Sequence, residues 1–218
     1  MNDRRVALVT GGTRGIGSAI TTSLAGDGVH VAAGYNSGRQ AAEKLRDKLI
    51  AEGRRVSIHQ GNVGRPDDCL RVACEVLETC GRVDYLVNNA GVTVDKTVRK
   101  MSVDDWHAVL RVNLSGAFYM TKAVLEHMLE RGSGRIVNIS SAIGETGNIG
   151  QANYAASKSG LFGFTKSLAL ETARKGITVN CVAPGFVDTE MVSALPESIM
   201  EAVIARVPVG RLGRPEEG

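Results

Sequence analysis

Short runs of β-branched and apolar residues alternate along the chain with longer amphipathic stretches. The short runs predict six strands, at Val6–Thr10, Val29–Tyr35, Arg55–His59, Val83–Asn88, Arg135–Ser140 and Thr178–Ala183. The longer stretches predict helices over residues 15–26, 38–52, 66–80, 103–130 and 152–175. Because strands that alternate with helices form a parallel sheet covered on both faces, we expect one doubly wound α/β domain over residues 1–218.

Residues at the expected helix ends support this division. Pro66 is followed by two acidic residues, as the first turn of a helix favours, and Gly81 then ends the same stretch. Ser102 stands before Asp104 and Asp105, which predicts a capped helix start. The sequence contains no repeat or low-complexity linker, so a single domain remains the prediction.

Composition changes this picture little but limits the partners. Hydrophobic residues make up 43% of the 218 residues and charged residues 22%, as in ordinary globular domains. The net charge of +3 is too small and too scattered to predict nucleic-acid binding. It is compatible with a phosphate-rich cofactor or an acidic carrier protein.

Cysteine and histidine spacing does not predict a metal site. Three cysteines fall at near-helical spacing within one segment, and this spacing predicts helix packing. No apolar run is long enough to span a bilayer, and the chain enters its first strand almost at once. We therefore expect a cytoplasmic protein with reduced thiols that binds no membrane; its cysteines are Cys69, Cys74, Cys80 and Cys181.

A glycine-rich turn joins the first strand to the first helix. Gly11, Gly15 and Gly17 lie in the turn 10–17, where they permit tight backbone geometry and close approach of N–H groups to a pyrophosphate. A merely structural turn can also be rich in glycine, but the position between the first strand and helix is that of a Rossmann fold. Thr13 and Ile16 complete the predicted cofactor-binding loop.

The choice of dinucleotide is predicted from charge. Sites for NAD usually carry an acid at the end of the second strand, whereas this sequence has Asn36 after Tyr35. Arg14 lies in the turn and could pair with a 2′-phosphate, and Arg39 follows further on. We therefore expect NADP(H), although Arg14 could also be an ordinary surface residue.

Tyr154 and Lys158 are four residues apart in a predicted helix and therefore share one face. A free tyrosine has a pKa of about 10, and a neighbouring ammonium group lowers that pKa. We expect Tyr154 to exchange a proton with a substrate oxygen at neutral pH, with Lys158 lowering its pKa.

The turn 10–17, Asn88–Gly91, Asn113, Ser141 and Tyr154–Lys158 occur in an order and at intervals that resemble the short-chain dehydrogenase/reductase family. The resemblance covers essentially the whole chain. It implies that Tyr154 is the proton donor or acceptor, that Ser141 rather than Ser140 holds the substrate oxygen, and that Lys158 also binds the nicotinamide ribose. It implies that Asn113 holds a water that links Lys158 to solvent; a structural role for this asparagine stays open.

The same resemblance implies further contacts to NADP(H). Asn62 and Val63 follow the third strand and would lie beside the adenine. The loop after the sixth strand would contact the nicotinamide, although Pro-Gly is also an ordinary turn signal. The additional cofactor-binding residues are Asn89, Ala90, Gly91, Pro184, Gly185, Val187 and Thr189, with Tyr154 and Lys158 contributing from the catalytic set.

Segments around 147–154 and 182–186 resemble the 3-oxoacyl-thioester reductases of fatty acid or polyhydroxybutyrate synthesis. This resemblance implies NADPH-dependent reduction of a 3-oxoacyl group carried by an acyl carrier protein or by CoA. Arg131 and Lys175 are candidate cations for a carrier protein beside the cleft. The alternatives are a dehydrogenase of another alcohol, such as a sugar or a steroid, and a non-catalytic NADPH-binding protein.

Residues 190–210 are expected to form a helical lid over the substrate. Members of the family continue beyond this point with one more helix and an edge strand, which the sequence as given does not contain. The resemblance implies a homo-tetramer when that segment is present.

Overall fold

Six parallel strands form one sheet in the computed structural model, which describes residues 5–193 and 197–217. The strand order is β3-β2-β1-β4-β5-β6. Apolar residues dominate the central strands because both faces of the sheet are covered. The strands are β1 Val6–Val9, β2 His30–Tyr35, β3 Val56–Gln60, β4 Tyr85–Asn88, β5 Gly134–Ile139 and β6 Ile177–Val182.

Nine α-helices connect or follow these strands within the described residues. They are α1 Gly15–Gly26, α2 Arg39–Ala51, α3 Pro66–Cys80, α4 Val103–Leu110, α5 Gly116–Arg131, α6 Ile143–Thr146, α7 Ala152–Thr172, α8 Glu190–Ser193 and α9 Glu197–Ile204. A π-helical turn, Arg111–Ser115, joins α4 to α5. Short 3₁₀ turns lie at Ala173–Lys175 and Pro215–Glu217.

The sheet has a hydrophobic core on each face. Leu8 of β1 lies in the core on the α3 and α5 side, while its neighbour Val9 lies in the core next to α1 and α2. This alternation follows from the two-residue period of a strand. Burying a side chain such as Leu8 or Ile136, both fully buried, contributes about 1.5–3 kcal/mol to folding.

The chain order reverses at the centre of the sheet, and this reversal positions the site. β1 pairs with β2 on one side and with β4 on the other, so the turns after β1 and β4 diverge to opposite faces. A crevice forms at such a switch point, outside the carboxyl ends of the strands.

The structure confirms the doubly wound parallel sheet and the six predicted strands, with shifted ends. β4 begins at Tyr85 rather than Val83, because the Asp84 carboxylate accepts hydrogen bonds from the backbone of Val6 and from Arg82. The helical pattern predicted over 103–130 is confirmed as one continuous run of helical residues, within which Arg111–Ser115 have π-helical rather than α-helical hydrogen bonding.

Within the predicted lid, α8 and α9 are helical, whereas residues 194–196 lie outside the described part of the chain.

Cysteine packing is as predicted for Cys69, which is buried in the core, but not for Cys74, which is exposed. The four cysteines are free thiols. Across the described residues, no helix has the length and apolar character needed to cross a membrane.

Candidate active site

The turn after β1 needs glycine for steric reasons. A Cβ on Gly17 would overlap the carbonyl oxygen of Gly11 and would lie 2.5 Å from Nδ2 of Asn89. Gly15 has a φ of +52°, a left-handed conformation that favours glycine. The close packing brings the backbone N–H groups at the start of α1 to the surface of the crevice, where they can bind an anion.

Asn89 lies beneath this turn and fixes it. Its Nδ2 donates hydrogen bonds to the carbonyl oxygens of Thr10, at 3.0 Å, and Gly11, at 3.1 Å. In return, Oγ1 of Thr10 accepts hydrogen bonds from the backbone N–H groups of Asn89 and Ala90. The turns that follow β1 and β4 are therefore locked together at the switch point.

A cleft of about 660 Å³ runs along the carboxyl ends of the strands. Of the predicted site residues, only Asn113 and Val187 are absent from its lining. The predicted residues that line the cleft are Gly11, Thr13, Arg14, Gly15, Ile16, Gly17, Asn36, Asn62, Val63, Asn89, Ala90, Gly91, Ser141, Tyr154, Lys158, Pro184, Gly185 and Thr189.

At one end of the cleft, Asp68 holds the loop at Asn62. From the sequence, this acidic residue was predicted only to mark the start of a helix. The carboxylate of Asp68 accepts a hydrogen bond from the backbone N–H of Asn62 at 2.9 Å. The Asn62 side-chain oxygen accepts a second bond from the backbone of Gly64. Asp68 and Val63 both line this end of the cleft, so the loop after β3 presents an ordered polar and apolar surface.

At the other end, Ser141 and Tyr154 meet. Both side chains line the cleft, the Ser141 hydroxyl is close enough to the Tyr154 phenol to influence its pKa, and Oγ of Ser141 accepts the backbone N–H of Ile143 at 3.2 Å. The neighbouring Ser140 points elsewhere, because its hydroxyl donates to the carbonyl oxygen of Lys158 at 2.8 Å. The structure thus brings Ser141, and not Ser140, to the hydroxyl of Tyr154.

Lys158 is buried, with 4% of its surface exposed. Its Nζ donates a hydrogen bond to the carbonyl oxygen of Ile139 at 2.7 Å and lies 5.7 Å from the ring centroid of Tyr154. Burial penalises the ammonium form and lowers the pKa of Lys158 to about 8. The ammonium group is therefore held at the end of β5, facing the cleft.

The expected net lowering of the Tyr154 pKa is not found in the protein alone. Burial raises the pKa of the Tyr154 phenol above its ordinary value, and the nearby carboxylate of Asp95 acts in the same direction. The hydrogen bond from Ser141 opposes this rise without overcoming it. Desolvation is therefore the dominant influence on the phenol.

Asn113 lies in the π-helical turn and is 2% exposed. Its Oδ1 accepts the backbone N–H of Val92 at 2.8 Å, and its Nδ2 donates to the Val92 carbonyl oxygen and to the hydroxyl of Ser157. A Cβ on Gly91 would lie 3.5 Å from Nζ of Lys158 and 3.6 Å from Oδ1 of Asn113. Asn113 therefore lies close behind the cleft and anchors the loop after β4 at Val92, although its side chain does not line the cleft.

The loop after β6 lines the cleft with Pro184, Gly185 and Thr189, whereas Val187 lies behind this lining. Val187 is buried and forms a parallel bridge with Gly213, to which Phe186 and Asp188 are also hydrogen bonded through their backbones. The expected contact of the Val187 backbone with the nicotinamide carboxamide stays a prediction.

A polar network on the rim was missed by the sequence reading. Gln151 donates to both carboxylate oxygens of Asp95, at 3.0 and 3.1 Å, and accepts a hydrogen bond from Asn148. Arg206, just after α9, donates to Asn148 at 3.4 Å. The several amide side chains just before Tyr154 could have indicated a polar network. Their partners could not be identified, because they are distant in sequence.

Arg131 and Lys175 do not lie beside the cleft, contrary to expectation. Arg131 ends α5 and pairs with Asp84 at 3.6 Å, next to the start of β1 and β4. Lys175 precedes β6. Helices that return from the carboxyl edge of a parallel sheet end at its amino edge, so both cations lie at the opposite side of the sheet.

A parallel sheet with a glycine-rich turn at its switch point and a Ser-Tyr-Lys set at the carboxyl edge defines a dinucleotide-dependent oxidoreductase fold. A family profile described as short chain dehydrogenase matches residues 5–199, and the chain belongs to this family. The resemblance predicted from the motifs is thereby confirmed.

Among the relatives, an acetoacetyl-CoA reductase of Shinella zoogloeoides is 47% identical over 214 residues, which cover 98% of this chain and 87% of that protein. A 3-oxoacyl-[acyl-carrier-protein] reductase of Synechocystis sp. is 45% identical over 213 residues, covering 98% of this chain and 85% of that protein. Nodulation protein G of Azospirillum brasilense is 45% identical over 214 residues, which cover 98% of this chain and 87% of that protein.

Proposed function

We propose that this protein reduces a 3-oxoacyl thioester to the 3-hydroxyacyl thioester with NADPH. The observation that carries the proposal is the placement of Ser141, Tyr154 and the buried Lys158 together on the lining of one cleft. The relatives named as reductases of acetoacetyl-CoA and of 3-oxoacyl carrier protein support this substrate class.

The cleft fits a nicotinamide dinucleotide. Side chains larger than hydrogen at Gly11 and Gly17 would fill the space against Asn89 and Ala90, so the turn is shaped for close backbone approach to a pyrophosphate. Asn36 follows β2 at the position where an acid would repel a 2′-phosphate. With Arg14 exposed at the cleft, these features favour NADP(H) over NAD(H).

In the proposed reaction, the hydroxyl groups of Ser141 and Tyr154 both bind the 3-oxo oxygen of the substrate. NADPH, when bound, supplies the hydride that adds to C3. As the C=O π bond breaks, its electron pair moves to the oxygen, which takes the proton of the Tyr154 hydroxyl. Ser141 stabilises the charge that develops on the oxygen, and Lys158 faces the phenolate that Tyr154 becomes.

The raised pKa of Tyr154 suits this direction of reaction. A phenol that remains protonated at neutral pH is ready to act as a general acid, which reduction requires. Oxidation of the alcohol would need the phenolate first, and burial disfavours that form. The positive charge of Lys158, 5.7 Å from the ring, then stabilises the phenolate as it forms.

We propose CoA as the carrier of the acyl group. The cations Arg99 and Lys100 are exposed on the loop that runs from the cleft at Val92 past Gly150, where they can meet phosphates. Arg131 and Lys175, which could attract an acidic carrier protein, lie at the far edge of the sheet in a single copy of the chain.

Initial rates with acetoacetyl-CoA and with acetoacetyl carrier protein, each with NADPH and NADH, test the substrate, the carrier and the cofactor together. We expect the highest kcat/KM with acetoacetyl-CoA and NADPH. A higher kcat/KM with the carrier protein would overturn the choice of carrier alone. No turnover of either thioester, against turnover of a sugar or steroid alcohol, would reject the proposed substrate class.

We further propose that the protein works as a homo-tetramer in the cytoplasm. Phe118 of α5 and Leu170 of α7 are 47% and 85% exposed on neighbouring outer helices, which supports association through that surface. Free thiols are compatible with a reducing compartment. Light scattering coupled to size-exclusion chromatography measures the oligomeric mass directly.

A further inference from the structure

The turn after β1 and the loop after β6 meet at the cleft. NH1 of Arg14, in the turn before α1, lies 3.7 Å from Oε2 of Glu190, the first residue of α8. A Cβ on the adjacent Gly15 would lie 3.3 Å from Cγ2 of Thr189. Arg14 and Glu190 both line the cleft, so their ion pair spans the opening of the proposed cofactor site.

This ion pair is built to exchange partners. The side chain of Arg14 is 64% exposed and that of Glu190 is 76% exposed, and exposed pairs contribute little to stability. Within the described residues, Glu190 is the ion-pair partner found for Arg14. A phosphate dianion with three oxygens is a stronger partner for a guanidinium than one exposed carboxylate.

We propose that Glu190 is a specificity-determining residue that competes with the 2′-phosphate of NADP(H) for Arg14. The proposal rests on the proposed function, since it assumes that Arg14 binds this phosphate. NADP(H) would displace the carboxylate and release α8 from the turn, whereas NAD(H) carries a 2′-hydroxyl and would leave the pair intact. Glu190 therefore selectively weakens the binding of the phosphorylated cofactor.

The test compares dissociation constants of NADPH and NADH, measured by fluorescence titration without substrate. In Glu190→Gln we expect NADPH to bind about two- to fivefold more tightly, as removal of an exposed ion pair suggests, while NADH binding stays unchanged. The gain should shrink at high salt, because exposed charges are screened. Glu197→Gln, which removes an equal charge from exposed α9, serves as the control and should change neither constant.

Arg14→Ala separates this inference from the proposed cofactor. If Arg14→Ala weakens NADPH binding and abolishes the gain from Glu190→Gln in the double variant, the competition is supported. If Arg14→Ala weakens NADPH binding but Glu190→Gln leaves the ratio of the two constants unchanged, the role of Glu190 is refuted while the cofactor assignment stands. If Arg14→Ala leaves NADPH binding unaltered, the assignment of Arg14 to the phosphate is itself wrong.

Discussion

Two pairs of residues at the cleft differ sharply in exposure. Asn113 and Lys158, on one side of the cleft, are 2% and 4% exposed. Arg14 and Glu190 meet at another part of it, and their side chains are 64% and 76% exposed. The first pair is held by hydrogen bonds to backbone groups of Val92 and Ile139. The second pair is held by one long ion pair in solvent. Proton transfer needs groups held in fixed positions, whereas cofactor exchange needs contacts that break easily. The difference in burial between the two pairs matches these two requirements.

The buried side extends deep into the sheet. Asn88 donates to Thr121 and to Asn138, and Asn138 donates to Thr165, so one chain of hydrogen bonds links α5, β4, β5 and α7. Buried hydrogen-bond networks of this kind make a structure rigid, although Oδ1 of Asn88 has no hydrogen-bond partner within the described part of the chain. The elements that carry Lys158 and Asn113 are tied together by it, independently of the lid.

Gly17→Ala should have the largest effect, because it disturbs the buried packing of the turn beneath the cleft. The added methyl group would overlap the carbonyl oxygen of Gly11, and overpacking of this kind costs about 1–3 kcal/mol. We expect NADPH binding to weaken about ten- to hundredfold. The matched control is Gly163→Ala on α7, where an added Cβ meets nothing within 4 Å, and binding there should be unchanged. Equal losses in both variants would contradict the steric argument.

The pH dependence of the free energy of unfolding tests the burial of Lys158 on the buried side of the cleft. Burial lowers the pKa of Lys158 from 10.5 to about 8, so between these values the unfolded chain binds more protons than the folded one. The free energy of unfolding should therefore rise as pH increases from about 8 to 10.5, by an amount on the order of a few kcal/mol. Denaturant titrations across this range measure the rise.

Lys158→Met should remove that rise, because the side chain can no longer titrate. Lys166→Met, at an exposed position of the same helix, should leave it in place. A rise that persists in Lys158→Met would show that another group is responsible.

Arg206→Ala tests the exposed side and should have the smallest effect. Its hydrogen bond to Asn148 is long and exposed, so the free energy of unfolding should change by no more than about 0.5 kcal/mol. Since Asn148 in turn donates to Gln151 on the rim, KM for the thioester should rise slightly with kcat unchanged. A large loss of kcat would mean that the rim is as rigid as the cleft floor.

The repeated pattern and the glycine turn were sufficient to predict the sheet, its switch point and most of the cleft lining, because these depend on local periodicity and backbone sterics. The prediction that Arg131 lies beside the cleft was wrong, because the location of a helix end depends on which edge of the sheet the helix returns to. The pKa direction of Tyr154 was wrong because spacing on a helix does not report how deeply a side chain is buried or that Asp95 lies nearby.

The π-helical turn at Arg111–Ser115 within the long helix was not predicted. Its residues carry no proline or glycine, so no local breaker marks the change to π-helical hydrogen bonding. The reason emerges only from the fold, where Asn113 in that turn reaches Val92 and Ser157.

Single-turnover oxidation of bound NADPH by acetoacetyl-CoA in Tyr154→Phe tests the central claim most directly. Loss of the phenol removes the proposed proton donor, and we expect the rate constant to fall about 10²- to 10⁴-fold while the dissociation constant of NADPH stays within about twofold. A variant that binds NADPH normally and reduces acetoacetyl-CoA at the unaltered rate would contradict the account.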